Sequence, residues 1–510
     1  MEMNLRKKIG QLFMVGFDAL EINEHISKMI LEQQVGGVIL FRRNVDTPEQ
    51  VARLCRSLQE LNATVSDTPL LIAIDQEGGM VMRLEQGVTP MPSAMAFAQG
   101  GSTESCEQLN RVLGDELRQI GINMNLAPVL DVNNNPRNPV IGVRAYGEDA
   151  ATVIQYGMAA MRGQQSAGLV TTAKHFPGHG DTAADSHYAL PLIPHDRARL
   201  FSVELPPFQA AIAAGVHAIM TAHVVFPAIE PVADLPATMS KAVLTDLLRA
   251  ELGFDGVIIT DCLEMAAISE GMGVAQGAVA TVQAGADIVL VSHLIERQLA
   301  AIGALERAVL DGVVSQSRID QALQRIQRLK QIAAVADWRA LPVLPRDLMQ
   351  PAALALSRSV HQSGVRVAGD LKKLDRALPV RLITVEVKNR TEVDEAVELR
   401  EGRSSMLDAL QQAGCSVQEH IISFEADDQE VAEALAFADD AQQLVLQTYN
   451  AIFSAGQQKL LSALPADKLW VVAGRLPYDL DLAPKAQGRL AAFGCRPAAL
   501  APVVEQLIHS

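Results

Sequence analysis

Eight short apolar runs, each followed by a stretch of helical or loop character, dominate the first three-fifths of this 510-residue chain. They are Leu12–Phe17, Gly37–Phe41, Leu70–Asp75, Asn123–Asp131, Val170–His175, Ala218–His223, Gly256–Asp261 and Ala286–Ser292. Strands covered by helices on both faces must be apolar throughout, and these runs are. Between them Thr47–Leu61, Cys106–Ile120, Ala151–Ala167, Lys241–Leu252 and Gln276–Ala284 read as helices. Eight strand–helix units in about 300 residues predict an α/β fold of the (β/α)8 TIM-barrel type, with the active site at the C-terminal ends of the strands. The helix Ser317–Gln331, with Ile319, Leu323, Ile326 and Leu329 at helical spacing, closes the barrel.

Pro342, Pro345 and Pro351 then interrupt any regular pattern, so Trp338–Pro351 reads as a linker. Beyond it Arg381–Val387, Ser416–Phe424, Gln443–Thr448, Leu469–Gly474 and Leu490–Phe493 alternate with helical segments such as Glu392–Ala413 and Gln429–Phe437. That alternation predicts a smaller α/β sandwich with a parallel sheet. The expected division is a barrel over residues 1–337, a linker over 338–351 and a second domain over 352–510.

A formal charge of −16 argues against a nucleic-acid partner, which would require a basic face. The five cysteines are far apart and form no CxxC pair, which fits a reducing compartment rather than a disulfide framework. The N-terminal apolar run Leu12–Phe17 is too short for a signal peptide or a membrane span. A cytoplasmic protein with no membrane partner is expected.

Polar groups gather where the strands end. Asp75, Asp131, His175, His223 and Asp261 each close an apolar run, and in a barrel they would converge on one mouth. Asp261 follows Val257-Ile258-Ile259-Thr260, where an aspartate is either a helix N-cap or a functional carboxylate. The stretch Lys174-His175-Phe176-Pro177-Gly178-His179-Gly180-Asp181-Thr182-Ala183-Ala184-Asp185-Ser186-His187 places three histidines among acidic, basic and glycine residues on a strand end and the loop after it. Asp185 and His187 are close enough for the carboxylate to set the tautomer and basicity of the imidazole. A simple hydrogen bond that stabilises the loop is the alternative. His175, His179, Asp181, Asp185 and His187 also carry enough ligand atoms for Zn²⁺. Lys174 would repel such a cation, and the ligands lack a helical register, so neither a metal nor any other cofactor is expected.

The Lys-His-Phe-Pro-Gly-His-Gly…Asp-Ser-His stretch resembles a signature of glycoside hydrolase family 3, in its β-N-acetylglucosaminidase branch that trims peptidoglycan fragments. The resemblance extends to Asp75-Gln76-Glu77-Gly78-Gly79 with Arg83, to Ile141-Gly142-Val143-Arg144 and to Thr260-Asp261-Cys262-Leu263-Glu264-Met265, in the family's order, over roughly residues 5–335. It implies a retaining exo-glycosidase that removes terminal non-reducing β-N-acetylglucosamine from peptidoglycan-derived or related glycans. Asp261 would be the nucleophile that forms a glycosyl-aspartate, and His187 the acid/base with Asp185 as its partner, in place of the glutamate that other members draw from a second domain. Asp75, Arg83, Arg144, Lys174 and His175 would bind the sugar. Asp131 reads as an organiser behind them, His179 and His223 as lining groups, and His217 as structural.

Two other readings keep the same residues. A histidine acid/base leaves less negative charge near the anomeric carbon than a glutamate would, so phosphate could replace water and make the protein a β-N-acetylglucosaminide phosphorylase. A non-catalytic sugar-binding protein is the other reading, and the presence of Asp261, Asp185 and His187 argues against it. The expected partner in each case is a small glycan. Residues 352–510 show no motif attached to chemistry, and the oligomeric state is open.

Overall fold

The computed structural model describes residues 4–183, 190–386 and 403–508. Its strands, in chain order, are β1 Phe13–Val15, β2 Gly37–Leu40, β3 Leu71–Ile74, β4 Gln76–Gly78, β5 Val81–Met82, β6 Met124–Asn125, β7 Val170–Phe176, β8 Ala218–Thr221, β9 Val257–Ile259 and β10 Val289–Val291. Eight of them form one parallel sheet in the order β10-β1-β2-β3-β6-β7-β8-β9. A parallel bridge between Ile259 and Ile288 joins the two ends and closes the barrel. All eight expected strands are present, and their residues are buried on both faces.

The fourth barrel strand is shorter than its sequence suggests, ending at Asn125 rather than Asp131. Pro128 has no N–H to give to the ladder. The pairing resumes beyond it, where Val129 bridges Lys174 and the Leu130 N–H donates to the Lys174 carbonyl at 2.7 Å. Helices Pro48–Asn62, Thr103–Ile120, Ala150–Ser166, Ala242–Glu251, Val274–Ala284 and Gln316–Leu329 stand within three residues of the predicted bounds at each end. Several begin at a side-chain cap of the kind the sequence advertises, such as Thr47, Asp149 and Ser315.

Six more strands lie beyond residue 364: β11 Arg366–Val367, β12 Val380–Glu386, β13 Val417–Ser423, β14 Gln443–Thr448, β15 Leu469–Ala473 and β16 Gly488–Ala491. They form a separate sheet in the order β11-β16-β15-β14-β12-β13. Five run parallel as expected, but β11 pairs antiparallel with β16, which makes the sheet mixed. Two exposed residues give β11 no periodic signal to read. Of the predicted helix Glu392–Ala413, the part up to residue 402 lies outside the described residues and the rest forms Ser405–Gln412.

The linker expectation ends at a helix: Pro351 occupies the first turn of Pro351–Gly364, where its missing N–H costs nothing. This helix packs against Ala94–Gly100 on the barrel, so closely that a Cβ on Gly100 would lie 1.8 Å from the Ser363 carbonyl oxygen. On one face of the second sheet, Leu444, Val471 and Phe493 share a core with Met80, Met95, Ala96 and Val143 from the barrel. The second sheet is thereby seated against the loops at the barrel mouth.

Candidate active site

The strand-end groups meet around one cavity lined by Phe41, Asp75, Arg83, Arg144, Lys174, His175, Asp261, Cys262 and His293, among others. Asp75 lies between β3 and β4, Lys174 and His175 in β7, and Asp261 two residues beyond β9. All are at C-terminal strand ends, as the barrel geometry requires. Arg144 comes from the turn Gly142–Arg144. Five sugar-site candidates and the candidate nucleophile are therefore brought to one place. The candidate dyad, Asp185 and His187, lies outside the described residues.

Lys174 is buried, and its ammonium donates to Asp75 Oδ1 and lies against Glu77 Oε1, both at 2.7 Å. Burial opposes its charge, but the Asp75 and Glu77 carboxylates outweigh that and raise its pKa. Arg144 donates from Nε and Nη2 to the two Glu77 oxygens, each at 2.8 Å, in the bidentate form that is the strongest such pairing. Arg83 lies 3.6 Å from Asp75 Oδ2. Burial would raise the Glu77 carboxyl, yet the Arg144 guanidinium and the Lys174 ammonium together hold it far below the usual carboxylate range.

Glu77 belongs to the quoted motif but carried no sequence-based role. Its signal was its place two residues after Asp75, which in the β4–β5 hairpin returns it to the same cations. Its stabilising contribution is present above the unfolded carboxylate pKa and is lost as pH falls through the depressed folded value. At neutral pH a Glu77→Gln change should therefore cost the full effect, about 3–5 kcal/mol, by leaving two buried cations short of a counter-charge. Urea unfolding at pH 7 checks this, and an unchanged midpoint would reject it.

Asp131 is fully buried behind the cavity and organises the loop after β7. It accepts from the His175 Nδ1 at 2.7 Å, the His175 N–H at 3.2 Å and the His179 N–H at 2.6 Å. Burial raises this carboxyl, but His175, through its charge and hydrogen bonds, and His179 bring it below its ordinary value. The His175 Nδ1 contact leaves Nε2 as the ring nitrogen available to the cavity.

His179 is buried beneath, its Nδ1 2.9 Å from Thr182 Oγ1, and burial drops its imidazole to about 4. An unfolded histidine titrates near 6.5, so this group's contribution is whole above that value and is lost as pH falls toward 4. The effect is on the order of 3 kcal/mol. Thermal melts should show a His179→Asn variant losing less Tm than the parent between about pH 7 and pH 4.5. Equal losses would contradict it.

His223 is tied at both ring nitrogens, to Thr238 Oγ1 at 2.8 Å and to the Cys262 carbonyl at 2.9 Å. It thus fixes the backbone that follows Asp261 and stands outside the cavity wall. The Cys262 N–H donates to Asp261 Oδ1 at 2.7 Å. His217 is partly buried on the far side of the barrel, where it accepts from the Thr171 N–H at 3.3 Å. The second sheet adds residues that no local signal could reveal. Tyr478 Oη accepts from Asn133 Nδ2 at 2.9 Å, and Asn133 Oδ1 in turn accepts the Gly142 N–H at 3.0 Å. Gly142 has φ 50°, and a Cβ there would meet Leu476 at 2.7 Å, so the turn that carries Arg144 is shaped from beyond the barrel.

Among the described residues two groups have metal-like spacing: Cys262, Glu264 and His293, and Asp181, His195 and Glu204. Glu264 already caps helix Ile295–Leu310, accepting the His293 and Leu294 N–H groups. In the second group Arg199 supplies the cation, 3.2 Å from Glu204 and 3.7 Å from Asp181. Of the five residues weighed for Zn²⁺ from the sequence, the described ones are divided: His175 and His179 bind Asp131, whereas Asp181 contacts His195 Nε2 at 2.5 Å.

The chain is similar to several known proteins. Beta-hexosaminidase A of Pseudoalteromonas piscicida is 38% identical over 328 residues, covering 60% of this chain and 54% of that protein. This chain thus spans about half of that relative's length. A beta-hexosaminidase of Alkalilimnicola ehrlichii is 35% identical over 340 residues, 65% of this chain and 92% of its own. Among solved structures, a glycoside hydrolase family 3 beta-N-acetylglucosaminidase from Paenibacillus sp. str. FPU-7 superposes with a TM-score of 0.93 at 45% identity, over 99% of this chain and 97% of that one. Residues 4–329 match the glycosyl hydrolase family 3 N terminal domain, and the chain belongs to that family of glycoside hydrolases.

Proposed function

We propose that this protein is a retaining exo-β-N-acetylglucosaminidase that removes terminal non-reducing β-N-acetylglucosamine from peptidoglycan-derived or related glycans. The observation that carries the reading is Asp261 facing the same small cavity as Asp75, Arg83, Arg144, Lys174 and His175. Hydrogen-bonding groups on several walls of the cavity suit the hydroxyls of a sugar. The hexosaminidase relatives and the Paenibacillus structure support N-acetylglucosamine as that sugar.

In the first step a carboxylate oxygen of Asp261 attacks the anomeric carbon and the bond to the aglycone oxygen breaks. His187 gives that oxygen its proton, with Asp185 stabilising the imidazolium. In the second step water attacks the same carbon, His187 takes the water's proton and the Asp261 ester bond breaks, so two inversions give net retention. Asp75 accepts from sugar hydroxyls while Lys174, Arg83, Arg144 and His175 donate. We further infer that residues 1–337 form the catalytic domain and 352–510 the second domain, joined by 338–351; the separation of the two sheets supports it.

Lys174, Arg83 and Arg144 face only two carboxylates, Asp75 and Glu77, so the choice of water over phosphate rests on the hexosaminidase relatives. Turnover of an aryl β-N-acetylglucosaminide beside the aryl β-glucoside, with and without phosphate, tests the reading. The first sugar product, observed by NMR, should be free β-N-acetylglucosamine. A sugar 1-phosphate would assign phosphorolysis, and the α-anomer would exclude retention.

A further inference from the structure

An apolar cavity lies behind the β4–β5 hairpin, between it and the second sheet, with a volume of about 150 Å³. Met82, Met91, Phe493 and Ala499 form its apolar walls. Its charged groups are matched internally. Arg496 donates to Glu85 Oε1 at 2.8 Å and also reaches the Gly79 carbonyl. His361 Nδ1 donates to the Ser357 carbonyl at 2.9 Å, and burial lowers the pKa of the ring. A charged guest would find no uncompensated partner. An apolar space of about 150 Å³ holds a molecule the size of benzene.

We propose that this cavity is a second small-molecule site, taking an uncharged, ring-sized, mainly apolar guest, and that its occupation is felt at the sugar site. The coupling follows from the hairpin. Gly79 and Met82 line the second cavity, while Glu77 and Arg83, two and one residues away, hold Lys174, Arg144 and Asp75 on the first. A guest gains the contacts of Gly79 and Met82 when the hairpin stands as the wall, the same placement that assembles the cationic cluster. It should therefore favour that placement and tighten sugar binding, and sugar should tighten the guest equally.

Phenol is the probe. Calorimetry on the full chain should show saturable one-to-one phenol binding, and phenol at saturation should raise the affinity for N-acetylglucosamine on the order of fivefold. Ala499→Leu should fill the space and abolish phenol binding. Ala498→Leu, at the half-buried rim, is a second variant in case the first does not fold. Absence of saturable phenol binding, or undiminished binding in these variants, would overturn the site. Phenol binding with unchanged sugar affinity would overturn the coupling. The sugar arm rests on the function proposed above, whereas the phenol arm does not. Failure of N-acetylglucosamine to bind at all would count against that function and leave the cavity to be judged by phenol alone.

Discussion

Asp261→Ala should lower kcat/KM for an aryl β-N-acetylglucosaminide by on the order of 10⁴-fold or more, while the melting temperature stays close to the parent's. Removing a nucleophile eliminates the covalent route rather than weakening a contact, which is why the loss is so large. The carboxylate is half-buried and accepts the next residue's N–H. A 5-fluoro sugar inactivator should label the parent at Asp261 and leave the variant unlabelled. Azide should restore turnover of the variant by entering the vacated face and giving the α-glycosyl azide. Label on another residue, or a variant with near-parental rates, would remove Asp261 from the role.

His187→Ala should lose about 10²–10⁴-fold on substrates with poor leaving groups, the range of general acid catalysis. It should lose far less on activated aryl glycosides, whose departing phenolate needs little protonation. Asp185→Ala acts through His187, so its effect should be partly non-additive with that of His187→Ala. Measuring kcat/KM for both variants and the double mutant over a series of aryl leaving groups separates the cases. A loss that is flat across the series would make His187 a binding or loop residue.

The barrel was legible because parallel strands covered on both faces leave uninterrupted apolar runs, and each of the eight runs contains a strand. The site was legible for a related reason: Asp75, Lys174, His175 and Asp261 sit where those runs stop, and strand ends in a barrel share one mouth. Pro128 concealed the early end of β6, since a run can stay apolar after its ladder is interrupted. Glu77 escaped notice because a tight hairpin, rather than any periodicity, turns it back toward Arg144. Tyr478 and Leu476 reach the Arg144 turn from more than 300 residues away in the chain, and no local pattern encodes such a contact. The antiparallel β11, two exposed residues long, was too short to leave any pattern.

The apolar seam shared by Met80, Met95, Ala96 and Val143 with the second sheet bears on how freely such catalytic barrels can be interchanged. The Alkalilimnicola relative matches over 340 residues that make up 92% of its length, which is the size of a barrel with little else. In this chain the corresponding face is interior, and Gly142 is moulded to a leucine that a barrel-sized protein has no second sheet to supply. A graft of the Arg144 turn from a barrel-sized relative into this chain would have to accommodate Leu476 where Gly142 now leaves room for it. The unit of inheritance at this mouth is therefore a matched pair of faces, and recombination that respects the domain boundary but separates that pair should yield misassembled hybrids.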